Sequence, residues 1–378
     1  MSTRSEALAQ VESFLERVPL YERTRNYDRV GHQNVSRLSY WIRYRVISEE
    51  EVVEAVRARY SFAVSQKFLQ EILWRSYWKG WLEMRPSVWA RYTDDVGRLS
   101  RENLQNAAYY AACEGRTALP FFNDWVRELI DTGYLHNHTR MWFASVWIFT
   151  LRLPWQLGAT FMYHHLLDGD PASNTLSWRW VGGLHTAGKI YVARPENIAT
   201  YSDNRWTPDP GDLNREPQPL PFDGSHDPTP LRTVSTTPPG DRGLVLIHDD
   251  DLSADFSSTF ASSKLQYAVL DGVRVHQSER VNAHVRGLRN DAAKRTGARV
   301  VRSAEELTTY ARRLGVTAIH SMLPPIGFEG SSLQQLAAEL DTVGVPIVWH
   351  RRPWDERYMP LARGGFFRFW EEVRQGLQ

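Results

Sequence analysis

The feature that most constrains this chain is a change of period on either side of one segment. Residues 206–242, "WTPDPGDLNREPQPLPFDGSHDPTPLRTVSTTPPGDR", are dense in Pro, Gly, Asp and Thr. Proline removes helix donors, and so polar a stretch has too little apolar surface to offset chain entropy. It reads as a linker or a long surface connection. Before it, apolar residues recur at three- and four-residue spacing in "VSQKFLQEILWRSYW", "PFFNDWVRELIDTGY" and "RMWFASVWIFTLRL", the mark of helices with one buried face. Ser48 and Glu51 in "ISEEEVVEAV" have capping-box spacing at such a start. After it, the short apolar runs "GLVLIH", "YAVLDG", "ARVV", "VTAIHSM" and "VPIVWH" are interleaved with the helical patterns "ERVNAHVRGLRNDAAKRTG", "SAEELTTYARRLG" and "SLQQLAAELDTVG". Strands alternating with helices imply a parallel sheet covered on both faces. The expected fold is multi-domain, α and α/β: an all-α domain over 1–205, the Pro-rich linker 206–242, and a doubly wound, Rossmann-like domain over 243–378 that ends in a helix. No G-x-G-x-x-G follows the first strand, so the dinucleotide fingerprint is absent.

Charge and cysteine content remove several function classes. Lys and Arg number 45 against 44 Asp and Glu, a net charge of +1, so no global positive field marks a nucleic-acid binder, although a local basic groove stays open. The single cysteine, Cys113, excludes internal disulfides and any zinc site or iron–sulfur cluster held by four cysteines of this chain. The opening "MSTRSEALAQVESFLERV" is a charged amphipathic pattern without an apolar signal core, and no stretch reaches membrane length. A cytoplasmic protein with no membrane partner is expected, as a monomer. Twelve of the 15 tryptophans lie at or before Trp206, which concentrates any aromatic chemistry in the helical part.

Three local clusters carry chemistry. In "DGDPASNTLSWRW", residues 168–180, Asp168 and Asp170 have the opening spacing of a calcium loop. Ala172, Asn174 and Arg179 then stand where further ligands would have to continue, so no metal site is expected. Trp178 and Trp180 in the same stretch are either core or the bed of a flat ligand. Glu71 and Arg75, four apart, share a helix face and read as a surface pair, and Trp74 with Trp78 as core. His136, Asn137, His138 and Arg140 follow a glycine and open an aromatic helix. A solvated helix start, an HNH-type nuclease and a cofactor site compete there; the nuclease needs a hairpin context that the flanking helices do not offer. His164 and His165 diverge by about 100° on one helix, which disfavours a shared ion.

Taken in order, "YERTRNYDRVGHQNVSRLSYWIRYRVIS", "FLQEILWRSYW", "GRTALPFFNDWVRELIDTGYLHNHTRM" and "LPWQLGATFMYHHLLDGDPASNTLSWRW" resemble the flavin-binding helical domain of the DNA photolyase and cryptochrome family over about half of the chain. The resemblance implies FAD as cofactor. Tyr21 and the loop Val35, Ser36, Arg37, Leu38 and Ser39 match its phosphate grip, where unpaired amides and hydroxyls at a helix start suit an anion. Arg75, Tyr134, Asn137 and Arg140 match other pocket positions, with Tyr134 where a tryptophan is common. Asp168 and Asp170 match the acids beside the ring system and adenine, with Asp168 and Arg140 expected as a buried pair, and Asn174 the residue facing the flavin N5.

It also implies a substrate, UV-damaged DNA carrying a cyclobutane pyrimidine dimer flipped out of the stack. Glu71 and Asn137 match groups that hydrogen-bond the dimer, Trp74 and Trp180 its aromatic walls, Met141 its apolar contact and Arg25 a phosphate contact. His138 replaces an arginine, which predicts a weaker or pH-sensitive grip on DNA. Trp178 and Trp155 match the first two members of an electron-transfer chain. The third position falls near Glu102, with Tyr109, Tyr110, Trp142 and Trp147 as substitutes. The implied activity is blue-light-driven splitting of the dimer by a deoxyribodipyrimidine photolyase, a carbon–carbon lyase. The alternatives are a cryptochrome-like photoreceptor that signals without repair, and a flavin-binding relic with a structural role. Family members place the α/β domain first, and "LIHDDDLSADF" and "ARGGFFRFWEEVRQ" resemble its two ends. A circular permutation is therefore expected, with an unrelated appended domain as the alternative. A second, antenna chromophore is allowed for, and the sequence names none.

Overall fold

The computed structural model describes residues 3–240, 242–262, 264–272 and 274–377. The principal helices in chain order are α1 (Arg4–Leu15), α2 (Glu49–Arg59), α3 (Phe62–Glu83), α4 (Pro86–Glu102), α5 (Ala107–Cys113), α6 (Pro120–Thr132), α7 (Asn137–Ser145), α8 (Trp155–His165), α9 (Pro171–Val181), α10 (Glu279–Thr296), α11 (Ala304–Leu314), α12 (Phe328–Thr342) and α13 (Phe366–Arg374). The strands are β1 (Leu244–Ile247), β2 (Gln266–Leu270), β3 (Arg299–Val301), β4 (Ile319–Met322) and β5 (Ile347–His350). The chain packs as two units: Met1–Glu16, Leu38–Arg85 and Pro228–Gln378 in the first, Arg17–Arg37 and Pro86–Asp227 in the second. This grouping cuts across the composition-based division into 1–205, 206–242 and 243–378, because the α/β residues pack as one body with helices from the first quarter of the chain.

In the first unit the five strands are all parallel, in the order β3-β2-β1-β4-β5. This is the doubly wound arrangement expected from the alternation of strand and helix. β1 is buried along its whole length, as a central strand covered on both faces must be. Leu244, Leu246, Ala268 and Ile319 from the sheet pack with Leu307, Ala311 and Leu340 from α11 and α12. Gly297 and Gly315 end α10 and α11 with φ of 65° and 68°, a left-handed exit that costs other residues more. The N-terminal amphipathic stretch is helical from Arg4, capped by a Thr3–Glu6 box; Met1 and Ser2 lie outside the described residues. The Ser48–Glu51 box forms as well.

Beyond β1 the chain reads Asp249-Asp250-Asp251, where a nucleotide-binding turn would present bare amides. Arg289 grips Asp249 with two bonds of 2.6 Å, and Arg274 adds one of 3.1 Å. Arg43 reaches Asp250 at 2.6 Å. Arg352 grips Asp251 with two bonds of 2.6 Å, and Arg45 lies 3.6 Å away. Burial alone would raise the pKa of Asp249 and Asp251, but the guanidiniums override it and hold both below the usual aspartate range. Burial opposes the charge on Arg45, yet Asp355, Glu49 and Asp251 keep it firmly protonated.

The second unit is helical. The stretch 140–153, expected as one regular helix, instead leaves α7 through a π-helical turn over Val146–Thr150, with Leu151 N donating to Val146 O at 2.9 Å. Residues 206–240 carry no helix or strand, as expected for that composition; Asp241, within the expected linker, lies outside the described residues. The segment is pinned rather than loose. In the second unit Asp223 accepts bonds of 2.6 and 2.9 Å from Arg179, and in the first Thr229 N and Oγ1 donate to Met84 O at 2.8 and 3.0 Å.

Replacing Asp251 by Asn leaves the buried Arg352 without its carboxylate and is expected to cost about 3–5 kcal/mol, read as a lower urea midpoint. In wild type, the stability that Asp249 and Asp251 contribute is present above the unfolded aspartate pKa of about 4 and is lost as pH falls through their lower folded values. Acid unfolding monitored by circular dichroism checks this.

Candidate functional site

Most of the residues singled out for flavin and substrate lie in the second unit, on α7, α9 and the segment 17–37. α9 begins where the sequence allows no other start. Pro171 cannot donate and sits in the first turn, and Asp170 Oδ1 caps it by accepting from Ser173 N at 2.7 Å. One turn on, Asn174 is buried and its Nδ2 donates to Ala159 O on α8 at 2.8 Å. Trp178 follows at the next turn of the same face and is 2% exposed. Trp180, two residues on, is half-buried and stacks on Tyr191 at 5.6 Å.

The expected pair forms, with Asp168 buried and Arg140 half-buried. One terminal nitrogen of Arg140 lies 3.0 Å from both oxygens of Asp168, and its Nε donates to Leu135 O at 2.9 Å. The guanidiniums of Arg140 and of Arg37 each lie 5.5 Å from the Tyr134 ring centroid, within cation–π range. Arg37 sits at φ 53° and His32 at φ 50°. A left-handed conformation costs an ordinary side chain about 1 kcal/mol or more and is retained where its surroundings enforce it. Tyr21, Arg25, Val35, Ser36 and Arg37 are all half-buried.

The start of α7 departs from one expectation. Asn137 is exposed and Met141 half-buried, but His138 is buried, and its Nδ1 lies 2.9 Å from Asn26 O. Burial pushes its pKa down, so it is neutral at neutral pH. It packs inside the unit, on Trp142 and Tyr201, where a DNA-gripping cation would need to reach solvent. His136 is the N-cap, its Nδ1 accepting from His138 N at 3.2 Å. Burial lowers its pKa to about 4, against the pull of Asp28.

Asp28 is the residue that pattern reading missed. It is 1% exposed and lies 2.8 Å from Arg205 and 3.3 Å from His32, and it accepts from Thr139 Oγ1. It thus fastens the segment 17–37 to α7. Two of its partners, Thr139 and Arg205, are more than 100 residues away and leave no spacing signal; the hints in the sequence were His32 four residues on and its place inside the matching stretch "YERTRNYDRV".

The remaining candidates belong to the first unit. Leu38 is buried and Ser39 opens a short helix, Ser39–Ile42. Glu71, Trp74 and Arg75 share one side of α3 and are half-buried. Glu71 lies 3.3 Å from Lys67 Nζ, one turn before it. Trp74 lies flat on Phe366 of α13, with centroids 3.4 Å apart and planes 7° from parallel. One face of the expected aromatic wall is therefore already covered.

Residues 68–206 match the family model described as the FAD binding domain of DNA photolyase. Over these residues the chain is similar to that domain, as the sequence resemblance implied. It is 34% identical over 179 residues to a deoxyribodipyrimidine photo-lyase of Thermus thermophilus, covering 47% of this chain and 42% of that one. Against the Vibrio cholerae protein of the same name it is 28% identical over 217 residues, 53% of this chain and 45% of the other. A solved cryptochrome of Synechocystis aligns at 23% identity and a TM-score of 0.46, over 53% of this chain and 43% of its own. The matched region spans less than half the length of these relatives. The residues present fit FAD. Arginines and a serine hydroxyl suit a diphosphate, carboxylates suit sugar hydroxyls and ring N–H groups, and among the described residues His136 Nε2 and Trp178 Nε1 are buried with no protein partner.

For the flavin domain, the His136 imidazole should titrate near pH 4 by heteronuclear NMR, well below the ordinary value of about 6.5. Its neutral burial stabilises the fold above pH 6.5 or so, and that contribution is lost as pH falls through about 4. A titration near 6.5 would contradict the buried site.

Proposed function

We propose that this chain is a light-driven DNA repair enzyme of the photolyase type, acting on cyclobutane pyrimidine dimers. The observation that supports this best is the array Arg37–Tyr134–Arg140–Asp168, whose last member shortly precedes α9, with Asp170 capping that helix and Asn174 and Trp178 at its successive turns. FAD bound by these residues in its reduced form would supply single-electron chemistry driven by blue light.

In this reading Tyr21 and Val35–Ser39 hold the diphosphate with hydroxyls, amides and the Arg37 guanidinium, and Arg75 adds positive charge. Arg140 fixes the Asp168 carboxylate through its two contacts of 3.0 Å, so that the acid stays ionised and oriented toward an N–H edge. Asp170 spends one oxygen on the α9 cap and turns toward the cofactor as an acceptor. Asn174, held by Ala159 O through its amide nitrogen, presents its carbonyl oxygen, a fixed acceptor for a protonated N5. Glu71 and Asn137 are each assigned hydrogen bonds to the dimer where charge develops, Trp74, Trp180 and Met141 are each assigned apolar contact with it, and Arg25 a phosphate. The order of matched segments followed by the α/β unit supports a circularly permuted arrangement, and the β1 end filled by arginine–aspartate pairs leaves any antenna pigment to another surface. Among the described residues no helix is long and apolar enough to cross a membrane.

The purified chain should show flavin absorption bands and, with the flavin reduced, restore thymines in a dimer-containing oligonucleotide under blue light but not in the dark. Glu71→Ala should lower the repair yield per photon without removing the bands. Flavin bands with no restored thymine would favour a photoreceptor, and repair at full yield by Glu71→Ala would remove that residue from the mechanism.

A further inference from the structure

Aromatic rings of the second unit form a file from the interior to the surface. The rings of Trp178 and Trp147 are 6.2 Å apart between centroids, those of Trp147 and Tyr109 6.1 Å, and those of Tyr109 and Tyr110 5.4 Å. Trp178 and Trp147 are fully buried, Tyr109 is partly so, and Tyr110 is 41% exposed.

The inner junction is a built feature. A Cβ at Gly158 of α8 would stand 2.4 Å from the Trp178 ring and 2.8 Å from the Trp147 ring, so the two indoles meet in space that only glycine leaves free. Trp147 rides on the π-helical turn Val146–Thr150, with its N–H donating to Pro154 O at 2.9 Å. Such turns recur at functional sites because they rotate a side chain out of helical register. The outer end is set by the cap of α5, where Asn106 Oδ1 accepts from Ala108 N and Tyr109 N at 3.1 and 3.2 Å.

The other tryptophan assigned to electron transfer leads elsewhere. Trp155 stacks on Tyr92 at 5.6 Å, and Tyr92 is buried with its hydroxyl on Thr160 Oγ1 at 2.8 Å. Both rings line a cavity of about 260 Å³ closed on one side by the Arg179–Asp223 pair. Burial raises the Tyr92 phenol above its ordinary pKa, and its hydroxyl is engaged by the half-buried Thr160 hydroxyl. A one-electron vacancy that reached Tyr92 would rest on a buried phenol whose proton is already engaged, whereas Tyr110 stands in solvent.

We propose that Trp178, Trp147, Tyr109 and Tyr110 form the electron route between the flavin and solvent, in place of a path through Trp155. The proposal rests on the flavin reading above. Trp178 would give up one electron to a bound, oxidised, light-excited flavin, and electrons would then step inward from Trp147, Tyr109 and Tyr110 in turn. Tyr110, the last to be oxidised, releases its phenolic proton to water, and a soluble thiol returns one electron while water returns the proton, so the net change is one electron moved from thiol to flavin.

Flash photolysis of the flavin-containing chain, oxidised, anaerobic and without thiol, followed by electron paramagnetic resonance of the trapped radical, tests the route without reference to repair. Wild type should give a tyrosyl signal; Trp147→Phe should lose it, and Trp155→Phe should keep it. Tyr109→Phe with Tyr110→Phe, placed toward the surface, should also lose it and replace it by a tryptophanyl signal, which covers the case in which Trp147→Phe fails to fold. A tyrosyl signal that survives the double tyrosine variant, or that vanishes in Trp155→Phe, overturns the route while leaving the flavin reading intact. A purified chain without flavin bands would instead overturn that reading, and the route with it.

Discussion

Three consecutive carboxylates at the end of one central strand are the constraint on which the first unit depends. Asp249, Asp250 and Asp251 sit at the carboxyl end of β1, nearly out of reach of water, and a buried carboxylate without a partner is prohibitively costly. Each is neutralised by arginines from far along the chain: Arg289 and Arg274, Arg43, and Arg352 with Arg45. Two of those arginines precede the sheet by about two hundred residues of sequence, so the charges can be buried only if the segment after Leu38 is already in place. The same pairs occupy the crevice at the strand ends, where open α/β sheets ordinarily bind a ligand.

The second unit repeats the principle with a single acid. Asp28 brings together Arg205, His32 and Thr139, and so fixes the entry of α7, on which Asn137, Arg140 and Met141 are carried. From there the Arg140–Asp168 pair fixes the approach to α9, whose capped start sets the directions of Asn174 and Trp178. The side chains assigned to the proposed cofactor site are thereby oriented by polar contacts within the protein.

Much of this was legible in the sequence, because helices, strands and caps are decided by neighbours. Period, the Ser48 cap, the exits at Gly297 and Gly315 and the parallel sheet all follow from residues within one or two turns of each other. The Arg140–Asp168 pair was legible only through resemblance, since 28 residues of separation carry no local signal. The boundary near residue 206 was visible as composition but does not coincide with the packed units: proline sets where a helix must stop, whereas packing is set by which apolar faces find each other. His138 shows the same limit. Its chemistry as a cation depends on exposure, and burial against Trp142 and Tyr201 removed it.

The sequence by itself determined most helices and strands, the doubly wound sheet and the resemblance to a flavin domain, for each is written in short-range pattern or in a run of matching segments. Only the tertiary structure decided that helices from the first quarter of the chain belong with the sheet, that one face of Trp74 is covered by Phe366, and that Trp178 meets Trp147 through the gap at Gly158. The reason is physical: burial, ion pairing and ring contact depend on distances through space, and residues far apart in the chain have no sequence pattern that records them.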